Sequence, residues 1–130
     1  MARPVCLLCE DQMLIGIDVE ASLERIGVQV AGPFARNADA LAWAATHKPD
    51  VAVLDYILED GKCLPLISAL KEQKVPIVIF SGWSPHEADM PPEIRGLPWA
   101  QKPVDCNTLL KVLTAAAPEV ISLSANSGCP

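Results

Sequence analysis

The sequence predicts a doubly wound α/β domain, a five-stranded parallel sheet with helices on both faces. Short β-branched or aliphatic runs alternate with longer stretches of helical spacing, the pattern of strands buried on both sides. A chain of 130 residues that is 51% hydrophobic, with mean hydropathy +0.28, has apolar material for one core and length for one domain.

Taken in order, Val5 to Cys9 is apolar throughout and too short for a free-standing helix, so it reads as the first strand. Met13 to Ile26 has helical spacing and stops at Gly27, the residue type that best tolerates a left-handed cap. Val28 to Ala31 is the second strand. Asn37 is placed to cap Ala38 to His47, an alanine-rich helix that ends before Lys48-Pro49. Val51 to Leu54 is the third strand, and Leu64 to Lys74 carries Leu66, Ile67 and Leu70 on one helical stripe. Val75 to Phe80 and Leu97 to Gln101 supply the fourth and fifth strands. Asp105 is placed to cap a last helix, about Asn107 to Ala116, with Leu109, Leu110 and Leu113 inward. Between them, Ser84 to Pro98 holds Pro85, Pro91, Pro92, Pro98 and Gly96. A fourth helix there would be broken repeatedly, so a loop with one or two turns is expected. Residues 1–117 read as the domain and 118–130 as a fraying tail.

Composition excludes several classes. With 10 basic against 16 acidic residues and net charge -6, a generic electrostatic grip on nucleic acid is not expected. The hydrophobic content argues against disorder. No apolar run approaches the roughly 18 residues of a membrane span. The opening Met1-Ala2-Arg3-Pro4-Val5 leads into no secretory h-region, so a cytoplasmic protein is expected. Five cysteines are present, at Cys6, Cys9, Cys63, Cys106 and Cys129. Cys6 and Cys9 have CxxC spacing, but on a strand positions three apart face opposite sides. A second CxxC is absent and neither His47 nor His86 has zinc-finger spacing, so the cysteines read as small core residues. Trp43 reads as helix packing.

Ligands of an open parallel sheet bind beyond the carboxyl ends of its strands. The residues found there are Glu10 and Asp11 after the first strand, Asp55 after the third, Ser81 and Gly82 after the fourth, and Lys102-Pro103 after the fifth. Three crowded carboxylates repel unless a cation intervenes, and Mg²⁺ is the natural one because it takes hard oxygen ligands and keeps waters for a phosphate. A carboxylate can attack phosphorus to give an acyl phosphate, and ammonium and hydroxyl groups suit the transferring oxygens.

This set resembles the receiver domain of two-component response regulators over about residues 4 to 117: an acidic pair, an Asp, a Ser or Thr, and Lys-Pro, each after its strand. The resemblance implies a flavodoxin-like sheet in the order 2-1-3-4-5, here with a short or irregular fourth helix. It implies that Asp55 accepts a phosphoryl group from a phosphohistidine on a sensor histidine kinase or histidine phosphotransfer protein. Asp11 and Asp55 would bind Mg²⁺ directly, Glu10 through water, and the backbone carbonyl of Ile57 would be a further ligand. Ser81 and Lys102 would bind phosphoryl oxygens, and the Lys102-Pro103 bond would be cis. Trp99 falls where the family usually has a Tyr or Phe switch. Phosphorylation would shift an existing equilibrium, moving Ser81 and Trp99 together.

Departures from the family sharpen the expectations. The loop Tyr56-Ile57-Leu58-Glu59-Asp60-Gly61 lacks the Pro many receivers carry four residues past the acceptor. The proline-laden stretch replaces a helix that commonly forms the output or dimer face, leaving a monomer or weak dimer expected. Trp99 is bulkier than Tyr and its indole only donates. Ile57 and Trp83 flank the path of the attacking water in receivers; both are large and apolar here, which predicts slow phosphate loss. An unidentified downstream protein is the expected output partner. The competing reading is a pseudo-receiver, an interaction module whose acidic site is vestigial. An Asp-nucleophile phosphatase needs a second acid where Ile57 stands, and a flavin site needs a Ser/Thr/Gly-rich loop after the first strand; neither is present.

Overall fold

Buried aliphatic runs set the architecture. In the computed structural model, which describes residues 3–82, 91–102 and 105–121, the chain runs β1 (Val5–Cys9), α1 (Met13–Arg25), β2 (Gln29–Phe34), α2 (Asn37–Ala44), β3 (Val51–Leu54), β4 (Ile57–Leu58), β5 (Gly61–Lys62), α3 (Leu64–Glu72), β6 (Ile77–Ser81), a 3-10 turn (Pro92–Ile94), β7 (Trp99–Gln101), α4 (Cys106–Ala116) and α5 (Pro118–Ile121). The sheet is parallel in the order β2-β1-β3-β6-β7, and β4 and β5 form a separate antiparallel hairpin. With the hairpin set aside, this is the flavodoxin-like order expected above.

Two apolar layers sandwich the sheet. Cys6, Leu8, Val53, Val78 and Phe80 meet Val19 and Leu23 of α1 and Leu109 and Leu113 of α4 on one face. Leu7, Cys9, Leu54 and Ile79 meet Ala40 of α2 and Leu66, Ile67 and Leu70 of α3 on the other. Strand alternation thus sends Cys6 and Cys9 to opposite layers. Both are buried, free thiols. Burial pushes the Cys6 thiol up to about 12 and raises that of Cys9 too, which makes them inert packing groups.

The ends of the elements differ from the sequence reading in instructive ways. Gly27 takes the left-handed cap after α1 with φ +86. The second strand runs on past Ala31 through a register shift, so that Leu7 pairs with Ala31 but Cys9 with Phe34. Gly32 makes this possible: its φ is +115, and a Cβ there would lie 2.3 Å from the Leu8 carbonyl oxygen. Asn37 is not the cap of α2 but its first residue; Arg36 is the cap position and makes no side-chain bond there. The cap comes instead from Asp60, across the hairpin. Asp105 does cap α4, accepting from the Thr108 N–H at 2.7 Å. Residues 118–121, read as tail, form α5, with Val120 packed against the core. Among the described residues of the proline-rich stretch, 92–94 form a 3-10 turn. Trp83, His86, Pro103, Cys129 and residues 122–130 lie outside the described residues, and with them the proposed gate at Trp83 and the cis peptide at Pro103. No helix among the described residues is long and apolar enough to cross a membrane.

Candidate functional site

The carboxyl ends of β1, β3, β6 and β7 converge on one acidic cluster. Backbone bonds fix the acids in place: the Glu10 N–H donates to the Phe34 carbonyl and the Asp55 N–H to the Cys9 carbonyl, both at 2.9 Å. The β2 extension through Gly32-Pro33 is therefore what reaches Glu10. Carboxylate oxygens of Glu10, Asp11 and Asp55 all lie within 4.8 Å of one another, Glu10 and Asp55 buried and Asp11 exposed. The Glu10 Oε2 also accepts from the Gln12 N–H at 3.0 Å.

Lys102 supplies the counter-charge. Its Nζ donates to Asp55 Oδ2 at 2.9 Å and stands 2.5 Å from Glu10 Oε1. Its backbone N–H donates to the Ser81 carbonyl at 2.8 Å, which locks the ends of β6 and β7 side by side. Phe80 lies under the ammonium, its ring centroid 5.1 Å away. Burial disfavours the Lys102 charge, but hydrogen bonds and proximity to Glu10 and Asp55 outweigh it and raise its pKa. Burial raises the Glu10 pKa, against the opposing pull of Lys102 and the Gln12 N–H.

Ser81 is buried as the last residue of β6. Trp99 begins β7, half-buried, its ring tilted against that of buried Tyr56 at 6.5 Å between centroids. Ile57 opens β4; its N–H makes a long bond of 3.4 Å to Asp55 Oδ1 and its side chain is 39% exposed. Every other large apolar side chain exposed among the described residues is on the first turns of α1, directly after the acidic pair: Met13 at 67%, Leu14 at 84% and Ile17 at 50%.

Three carboxylates within ligand reach of one another, balanced by one ammonium, are a hard-oxygen donor set with negative charge to spare. Glu10, Asp11 and Asp55 fit a divalent cation such as Mg²⁺, which needs few protein ligands and retains waters. Of the strand-end residues named from the sequence, Glu10, Asp11, Asp55 and Lys102 are thus brought together, with the Ser81 backbone bonded to that of Lys102.

Sequence reasoning missed the structure around Asn37. Its buried side-chain Nδ2 donates to Asp60 Oδ1 at 3.2 Å and to the carbonyls of Gly61 and Lys62, each at 3.1 Å. Asp60 in turn accepts the N–H groups of Asn37 at 2.7 Å and Ala38 at 3.0 Å, capping α2 from outside. These two bonds hold the Asp60 carboxyl below its ordinary range. The available signal was the Asp60-Gly61 dipeptide, a turn marker between short apolar runs.

No family model matches the chain. The chain is 22% identical over 124 residues to the transcriptional regulatory protein PdtaR of Mycobacterium tuberculosis, covering 94% of itself and 60% of that protein. It therefore spans about 60% of the length of the curated relatives it matches. Among solved structures, SdrG from Sphingomonas melonis Fr1 is 31% identical with TM-score 0.76, over 89% of this chain and 98% of that one. A CheY-like response regulator receiver domain from Methylobacillus flagellatus is 25% identical with TM-score 0.74, over 88% of this chain and 98% of its own.

Proposed function

Because the chain belongs to the CheY-like response regulator receiver domains, we propose that it is a phosphoacceptor that takes a phosphoryl group onto Asp55 from a phosphohistidine. One observation carries this reading: a buried Asp carboxylate 2.9 Å from a Lys ammonium, with two more carboxylates in ligand reach. An Asp55 oxygen attacks phosphorus, the P–N bond of the donor breaks as the P–O bond forms, and the imidazole nitrogen keeps the electron pair. Lys102 leaves its carboxylate partner for a phosphoryl oxygen, and the Ser81 hydroxyl holds another. Asp11, Asp55, Glu10 and the Ile57 carbonyl would hold Mg²⁺, which when bound neutralises charge on the transferring oxygens. Withdrawal of Lys102 and Ser81 toward the phosphoryl group pulls on β7, whose first residue Trp99 packs on Tyr56, and so remodels the surface a downstream protein reads. The protein promotes only its own phosphorylation and dephosphorylation, and acts in the cytoplasm as a monomer or weak dimer.

The apolar rim supports the partner assignment. Met13, Leu14 and Ile17 beside the acidic mouth suit the face of a sensor histidine kinase or histidine phosphotransfer protein, whose imidazole must reach Asp55. Labelled phosphoryl transfer from a phosphohistidine donor in Mg²⁺ tests both points. Asp55→Asn should abolish labelling. Leu14→Asp should slow transfer from the protein donor at least tenfold while leaving labelling by acetyl phosphate within twofold. Normal labelling of Asp55→Asn would refute the acceptor. A wild-type chain that takes no label from either donor would leave the pseudo-receiver reading in its place.

A further inference from the structure

We infer that Asn37 and Asp60 are positioning residues that clasp the hairpin after the acceptor and thereby set how fast the acyl phosphate is lost to water. The inference rests on the phosphoacceptor reading. A hairpin with two residues in each strand has little stability of its own, so its place is decided by what it is tied to. One tie is Leu58, buried in the core beside α3. The other is the clasp. Five hydrogen bonds join Asn37 and Ala38 to Asp60, Gly61 and Lys62, and the Glu59 N–H adds a bond to the Ala35 carbonyl at 3.0 Å. The Arg36–Glu59 ion pair, at 4.0 Å and half exposed, adds little.

The position matters because Ile57 begins the hairpin. Its N–H reaches the acceptor carboxylate and its side chain stands at the rim. Hydrolysis of an acyl phosphate needs a water in line with the P–O bond. An ordered apolar side chain at the mouth disfavours that water, and a loose one admits it. Asn37 and Asp60 hydrogen-bond to neither the acceptor nor its carboxylate neighbours, so they act on the acyl phosphate through the hairpin rather than by contact.

The test is decay of label from Asp55 after phosphorylation by acetyl phosphate in Mg²⁺. Asp60→Ala should lose phosphate at least fivefold faster than wild type, with its rate of label uptake within twofold. Asp60→Asn, which keeps one oxygen for the Asn37 N–H groups but loses the acceptor of the Ala38 N–H, should decay at a rate between those of wild type and Asp60→Ala. Amide exchange at residues 57–62 should speed up in Asp60→Ala, and near-UV circular dichroism should remain native; Asn37→Ser serves if Asp60→Ala does not fold. Unchanged decay despite faster exchange would overturn the inference, since the clasp would then be scaffold alone. Unchanged exchange would overturn it too, because the hairpin would be held without the clasp. A wild-type chain that takes no label would fail differently, by removing the phosphoacceptor reading on which the inference stands.

Discussion

Two polar clusters sit at the two ends of the hairpin that follows Asp55, and they are built to opposite rules. Around Asn37 and Asp60, the N–H groups of Asn37 and Ala38 and the Asn37 side-chain amide all find acceptors on the hairpin. Around Asp55, three carboxylates face one ammonium, and the surplus negative charge has no answer among the described residues. A cluster that pairs its own donors contributes to the fold, here with the buried Asn37 Oδ1 left as its one unpaired acceptor among the described residues. One left with excess charge costs stability, and on the proposed function it is kept for a cation and a phosphoryl group. The distinction can be broken by substitution, because the two clusters should respond with opposite signs.

The largest effect is expected at Lys102, the only cation in reach of the acids among the described residues. Lys102→Met leaves Glu10 and Asp55 buried without a counter-charge, which should cost about 3 kcal/mol in metal-free buffer at neutral pH. Urea denaturation measures it. Millimolar Mg²⁺ should return part of the loss, since a cation bound among the same oxygens restores the balance. A loss unaffected by Mg²⁺ would mean that the carboxylates do not share an ion.

The next pair sharpens the contrast. Asn37→Ala deletes three side-chain hydrogen bonds and leaves the Gly61 and Lys62 carbonyls wanting, a cost of about 2 kcal/mol. Asp55→Asn should do the reverse in metal-free buffer. It removes two repulsions, with Glu10 and Asp11, and one attraction, with Lys102. The cluster then holds two carboxylates against one ammonium instead of three, so a gain in stability is expected. Equal destabilisation by both variants would erase the difference between the clusters.

This division also explains what could be read from the sequence. Parallel strands buried on both faces leave continuous apolar runs, so Val51 to Leu54 and its neighbours announced the sheet without any periodicity. The acidic cluster was legible because its members stand immediately after those runs, where any open parallel sheet gathers its ligands. The clasp was not. Strands of two residues carry no measurable alternation, and Asn37 finds its partner 23 residues away. Next to an alanine-rich run, an Asn looks like a local cap, and only tertiary contact shows that Asp60 does that work. Pro118 to Ile121 was misread for a similar reason. The Ser-Ala-Asn-Ser-Gly-Cys-Pro ending suggests a tail, while the packing of half-buried Val120 against the core is a tertiary contact.

The smallest expected effect is the pH dependence of stability, where the clusters again part. Burial first, and the nearby Asp55 charge, raise the Glu10 pKa above its ordinary 4.5. In metal-free buffer the folded state therefore takes up this proton before the unfolded state does. Glu10 contributes stability that is fully present below 4.5 and is lost as pH rises through the raised folded value. Asp60 runs the other way. Its pKa is lowered from 3.8 by the Asn37 and Ala38 N–H groups, so its contribution is full above 3.8 and lost as pH falls through the depressed value. Chemical denaturation from pH 7 to pH 3 (an order-of-magnitude window around ordinary carboxylate values) separates them by difference. Glu10→Gln should remove a gain between neutral pH and about 4.5, and Asp60→Asn should blunt the loss below about 3.8. Mg²⁺ should abolish the Glu10 gain and leave the Asp60 loss untouched, because only one of the two carboxylates has a reason to hold its charge for a ligand.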